Sequence, residues 1–210
     1  MKSHDDIRNG AAQLLADVIE PAVNGPGHPL AIEAHHVGGE PIGYEEALRR
    51  TYQPFAVGDP WGPAWDTTWF RLWAEVPTSW RGHEVVLRLE HAHRGDGGYR
   101  ADRAHGGESL VWQDGVPRWG MSPCHPAVVI LVEAEGGEPV ELFVEAAANP
   151  ALPDRMSGID WPLLRADHGG EPLFRLARAE LAVRRREVHA LAADVRIMLG
   201  LASGSLDPAV

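Results

Sequence analysis

Pro139-Val140-Glu141-Leu142-Phe143-Val144-Glu145-Ala146-Ala147 is the stretch that decides the fold. Val140, Leu142 and Val144 alternate with Glu141, Phe143 and Glu145, the period-2 pattern of a strand with one face buried. Ala127 to Ala134 just ahead is a second apolar-rich run, and Glu135-Gly136-Gly137-Glu138 joins the two. A Gly-rich link of that length predicts a hairpin. Two strands cannot hold together alone in water, so the pattern requires a second sheet to cover them.

Working outward, the same period recurs. Phe70, Leu72, Ala74 and Val76 alternate with Trp69, Arg71, Trp73 and Glu75, and Pro77 ends the run. Val85, Leu87 and Leu89 repeat it, as do Leu30, Ile32 and Ala34 nearer the start. Ser109 to Gln113 leads into Asp114-Gly115, a favoured tight-turn pair, and Phe174 to Val183 reads as a further strand. Ile42 to Leu48 carries good helix formers and predicts a short helix. Asn149 to Gly170, rich in Pro, Gly and Asp around Trp161, predicts a long surface loop. The two ends change period. Ile7, Leu14, Leu15, Val18 and Ile19 predict a helix over Asp5–Glu20 that Pro21 stops. Val188, Leu191, Val195 and Leu199 predict another from Arg184 to about Ala202. The fold class is therefore mainly β, an antiparallel β-sandwich with a short N-terminal and a C-terminal helix. Its divisions are 1–24 (helix and linker), 25–183 (sandwich) and 184–210 (helix and tail).

With 30 acidic against 19 basic residues the chain carries a net charge of −11. Such a surface repels phosphate backbones and anionic lipid, which argues against nucleic acid and membrane as partners. Arg184-Arg185-Arg186 is the one dense basic run and reads as a solvated helix face. Cys124 is the only cysteine, so no intrachain disulfide forms, and a reducing, cytoplasmic location is expected.

Few residues point to chemistry. His91 and His93 would project to the same side of a strand, a workable arrangement for two metal ligands. No helix-borne His-Glu-x-x-His accompanies them, so they read first as sheet histidines. His35 and His36 are neighbours and would face opposite ways. The acids form no pair that marks a glycosidase by sequence alone. No nucleophile elbow, phosphate loop or dinucleotide fingerprint occurs. Aromatic faces stack on sugar rings, so Trp112, Trp119 and Trp161, with Glu108 and Asp114 at a loop rim, are the candidates for carbohydrate binding. No residue is assigned a catalytic role.

Three segments carry a specific resemblance. They are Tyr52-Gln53-Pro54-Phe55-Ala56-Val57-Gly58-Asp59-Pro60-Trp61-Gly62-Pro63-Ala64-Trp65-Asp66-Thr67-Thr68-Trp69-Phe70-Arg71, Glu108-Ser109-Leu110-Val111-Trp112-Gln113-Asp114-Gly115-Val116-Pro117, and Gly137 to Pro150. In this order and spacing the chain resembles the N-terminal domain of the glycoside hydrolase family 38 α-mannosidases of bacterial and vacuolar type. The resemblance implies a jelly-roll or galactose-binding-like sandwich placed before a larger catalytic domain that binds zinc or another divalent metal. The family's metal motif reads His-x-His-x-Asp followed by Ala-Trp-Leu-Trp. His91-Ala92-His93-Arg94-Gly95-Asp96 has one residue too many and lacks the sequel. The resemblance therefore implies a non-catalytic scaffolding domain, inactive alone, needing no cofactor itself. It would be a truncated enzyme, part of a split protein, or an orphan domain. Its expected partner is an α-mannosidase catalytic domain, or a second copy met through the C-terminal helix. A stand-alone carbohydrate-binding module for mannosides is the alternative.

Overall fold

The computed structural model describes residues 3–95, 98–100, 107–150 and 170–204. Within them the chain forms two antiparallel sheets packed face to face, as the alternation predicts. In the first sheet the order is β1 (His28–Pro29), β12 (Phe174–Arg184), β6 (Glu84–Gly95) and β10 (Ala127–Leu131). Two short strands join it, β4 (Pro60–Trp61) beside β12 and β7 (Gly98–Arg100) beside β6. The second sheet runs β3 (Gln53–Pro54), β2 (Ala31–Val37), β5 (Thr67–Glu75), β11 (Pro139–Ala148), β8 (Gly107–Gln113) and β9 (Val116–Met121).

Between the sheets lies one continuous apolar core. Phe70 and Leu72 of β5, Leu142 and Val144 of β11, and Val111 of β8 meet Val85 and Leu87 of β6 and Phe174, Leu176 and Leu181 of β12. All are fully buried. Each large apolar side chain so placed contributes about 1.5–3 kcal/mol of transfer free energy, and the sum holds the sheets together.

The predicted hairpin is corrected. β10 pairs with β6 in the first sheet, whereas β11 pairs with β5 and β8 in the second. Residues 132–138 therefore carry the chain across the sandwich. The crossing is pinned by hydrogen bonds to the turn after β5: Gly137 N–H to the Val76 carbonyl, Val76 N–H to Glu138, and Ala134 N–H to His83, all 2.8–2.9 Å. Gly136 has φ of +76°, and a Cβ there would stand 2.8 Å from the Thr78 carbonyl oxygen. Alternation reports which side of a strand is buried but not which strand lies beside it.

Both terminal helices exist. A capping box of Ser3 with Asp6 starts α1 (His4–Leu14). The helical run does not stop at Pro21. A π-helical turn (Leu15–Ile19) leads into α2 (Glu20–Ala22), which contains it. Glu20 N–H bonds the Leu15 carbonyl, five residues back. This wider turn just before Pro21 accommodates a residue that has no N–H and would crowd the carbonyl four residues behind. The predicted helix over Ile42–Leu48 is α3 (Tyr44–Ala47).

α4 (Arg186–Gly204) lies against the N-terminal helices. Its Val188, Ala192, Val195 and Leu199 pack on Leu15, Ile19 and Val23, while Leu191 stays exposed. Three of the four stripe residues are thus covered by the chain's own N-terminus. The triple-arginine run is also not one helix face. Arg184 belongs to β12 and pairs with Glu84, Arg185 donates to the Ala22 carbonyl, and Arg186 reaches Glu84 and the Val132 carbonyl. These contacts tie the helical layer to the end of the sandwich.

Candidate functional site

Four of the five sugar-site candidates lie on the β8–β9 hairpin, whose turn is Asp114-Gly115. Both residues have positive φ, 52° and 77°, the backbone that a two-residue turn of this type demands. Trp112 lies on the outward face of the second sheet. Its ring stacks on Tyr44, with centroids 4.7 Å apart and planes 11° from parallel. Trp119 stands opposite Val111 and packs on the interior core, on the other side of the sheet. The register shift between Val111 and Trp112 sets the two rings on opposite faces. They therefore do not form one stacking platform. Glu108 shares the outward face with Trp112, but four residues along a strand separates them by about 13 Å. With Thr67 and Glu145 it borders a depression of about 420 Å³. Burial pushes the Glu145 carboxyl above the ordinary range, while the neighbouring Trp112 indole acts in the opposite sense. Asp114 is exposed at the turn. Trp161 and most of the predicted Asn149–Gly170 loop lie outside the described residues.

His91 and His93 both project inward from β6, as their spacing predicts. His91 is 6% exposed, with Nε2 3.0 Å from the Ser109 hydroxyl and its ring 4.7 Å from that of Trp61. Burial pushes its pKa down to about 3, so the imidazole is neutral at physiological pH. Gly107 lies beside it because a Cβ there would meet Phe174 at 2.9 Å and His91 at 3.2 Å. His93 packs against Phe174, with centroids 5.2 Å apart. Asp96 is outside the described residues. Among those described, no group of three His, Cys, Asp or Glu side chains could hold a metal ion. A neutral imidazole bonded to a serine inside an apolar shell does not fit the zinc that the resemblance implies for the larger protein. His35 and His36 do face opposite ways, toward the Thr51 carbonyl and the Thr68 hydroxyl.

Arg71 is a residue that no local motif singles out for function. On the outward face of β5 its Nε donates to Glu141 Oε1 at 2.7 Å, with Nη2 at 2.6 Å from the same oxygen. Nη1 stands 3.5 Å from Glu33, and the guanidinium lies 5.5 Å from the Trp73 ring centroid. Glu141 in turn holds the Arg71 guanidinium more firmly protonated. These residues come from β2, β5 and β11, so only knowledge of the strand order brings them together. The alternation offered one signal, an outward position for Arg71.

The family comparison agrees with this architecture. Residues 28–182 match the family model described as "Alpha-mannosidase, jelly roll domain". The human protein alpha-mannosidase 2C1 is 34% identical over 180 residues, which are 84% of this chain and 16% of that protein. Alpha-mannosidase G of Dictyostelium discoideum is 22% identical over 157 residues, 72% of this chain and 13% of its own length. Among solved structures, a beta-glucuronidase of Faecalibacterium prausnitzii is similar at a TM-score of 0.41 and 15% identity, covering 74% of this chain and 30% of that one. The chain thus spans about a sixth of the length of the human relative. By its match over residues 28–182 this chain belongs to the α-mannosidase jelly-roll domain family.

Proposed function

We propose that the domain is a non-catalytic scaffold of an α-mannosidase acting on α-mannosides, and that its paired terminal helices carry the assembly. The supporting observation is the apolar surface left after those helices have satisfied each other. Ile7, Leu14 and Val18, spaced seven and four apart, follow one flank of the N-terminal helical run and are each more than half exposed. Leu191 and Met198, seven apart on α4, are 48% and 59% exposed. Side chains of this kind in helical register are what a partner domain covers. The partner is the catalytic domain, which would hold the zinc or other divalent metal. When that partner is not bound, the same flanks drive self-association.

The first test is hydrolysis of an aryl α-mannoside by the purified chain, with and without added zinc. Silence in both conditions is expected. Metal-dependent turnover that disappears in a His91→Ala, His93→Ala variant would overturn the reading. Light scattering over a concentration series tests the assembly role. Association that rises with concentration and is abolished by Leu14→Glu with Leu191→Glu is expected. A chain that stays monomeric, or associates equally well with both substitutions, would remove the helices from that role.

A further inference from the structure

The outward face of the second sheet is roofed only in its middle. There α3 and the chain around it bury Val37, Ala47 and Trp69, with Tyr44, Tyr52, Trp112 and Phe143 packed alongside. Beyond this roof, two depressions of about 440 and 550 Å³ share Glu33, Arg71 and Glu141 as a common border. Tyr52 and Phe143 wall the first, and Trp73 lines the second. The centre of this groove, at Arg71, lies four residues along β5 from Thr67 of the Glu108 depression, about 13 Å away.

The lining selects a kind of ligand. At the first depression Glu33 and Glu141 face Arg71 and Arg50, Glu75 lines the second, and Arg50 is itself paired with Glu46. The lining thus keeps a small excess of negative charge, so an anion gains nothing from the field. The lining does present carboxylate acceptors and guanidinium donors at fixed spacing. Both close contacts of Arg71 with Glu141 fall on Oε1, so the other carboxylate oxygen is not engaged by that fork. The Tyr52 hydroxyl is buried in the wall and has no hydrogen-bond partner among the described residues. Paired donors and acceptors beside aromatic rings suit a molecule with adjacent hydroxyls on a ring whose C–H faces are apolar.

We propose that this groove binds a neutral sugar of two rings, one on either side of Arg71. The exposed ion pair is not needed to hold the fold, because pairs of this exposure contribute about 0–1 kcal/mol. Variants at these positions should therefore fold and report on binding.

The test is saturation-transfer NMR of the full chain. Methyl α-mannoside, mannobiose and maltose serve as neutral probes, and mannose 6-phosphate as the charged one. Saturation transfer to at least one neutral disaccharide is expected, with weaker transfer to the phosphorylated sugar. Arg71→Met and Glu141→Gln should each weaken the bound disaccharide by about tenfold or more, while Glu108→Gln leaves it unchanged. Circular dichroism confirms that each variant is folded, and Glu141→Gln carries the test if Arg71→Met is not. The proposal is overturned if no neutral sugar responds up to its solubility. It is also overturned if the phosphorylated sugar binds more tightly, or if the folded groove variants bind as well as wild type.

Discussion

The two sheets bury their inner faces in the same core, but their outward faces are finished differently. On the first sheet, oppositely charged residues stand directly across from one another on β6 and β12: Arg88 and Glu180, Glu90 and Arg178, Glu84 and Arg184. Their charged atoms are 2.7, 3.0 and 3.5 Å apart. That face is complete when water covers it. On the second sheet the corresponding positions hold Trp69, Phe143 and Trp112, and water is a poor cover for them. The chain supplies its own cover through Ile42, Tyr44, Ala47 and Tyr52. The aromatic, partly roofed sheet surface lies on the second sheet, and the Glu108 depression and the two that share Arg71 border it. The proposed sugar groove lies on the second sheet, whereas the outward face of the first is lined by its cross-strand ion pairs.

The largest test of this contrast is Trp69→Ala. Trp69 faces outward yet is fully buried, as is Phe70 on the inward face. Each truncation should cost about 3–5 kcal/mol in urea denaturation. A cost for Trp69→Ala below about 1 kcal/mol would mean that the roof does not pack and that the two outward faces are alike.

One strand, β6, carries the next test. Arg88 and Glu90 point outward and face oppositely charged partners on β12, whereas His91 points inward and is neutral. Its pKa is lowered by burial from 6.5 to about 3, so below 6.5 the unfolded chain binds a proton that the folded chain excludes. Stability from this group is fully present above pH 6.5 and falls toward pH 3 by about 1.4 kcal/mol per pH unit. Denaturation midpoints of wild type and His91→Gln between pH 7 and 4 should converge as pH falls. Parallel curves would show that His91 titrates normally in the folded protein.

The crossing between sheets gives a smaller effect. Gly136→Ala places a Cβ against the Thr78 carbonyl at positive φ and should cost about 1–3 kcal/mol in chemical denaturation. Gly10→Ala, in an open helical position with nothing within 4 Å, should be neutral or stabilising. Equal effects at the two sites would mean that the crossing is not held by the Thr78 turn.

How far the sequence could be read depends on which interactions are local. The alternation in β5, β11 and β12 is visible because burial of one face repeats every second residue. Asp114-Gly115 is visible because a turn pair acts over two residues. Glu135 to Glu138 looks locally like a hairpin link, and what makes it a crossing is a set of bonds to residues 76 and 83, far back in the chain. Trp69 follows the alternation into an outward position, but its burial depends on a cover from residues 42–52. That Trp112 and Trp119 face opposite sides of the sheet is not visible until the register shift between Val111 and Trp112 is known. Arg71, Glu33 and Glu141 are ordinary surface residues until β2, β5 and β11 are set side by side. The family resemblance carried the fold further than the residues did. Arg71 closes one of its segments and Glu141 lies in another, yet nothing in either segment says that the two meet.

The smallest expected effect concerns the ionic face itself. Arg88 and Glu180 are each about a quarter exposed, and Arg178 approaches the same Glu180 oxygen at 3.8 Å. A double-mutant cycle with Arg88→Met and Glu180→Gln should give a coupling of about 0.5–1 kcal/mol, because desolvation of both groups offsets most of the attraction. The coupling should shrink in high salt, since charges at this exposure are reached by counterions. If it instead exceeds about 2 kcal/mol and ignores salt, the pair is behaving as a buried one. The first sheet's outward face would then be covered by a partner rather than by water, and the contrast between the two sheets would have to be redrawn.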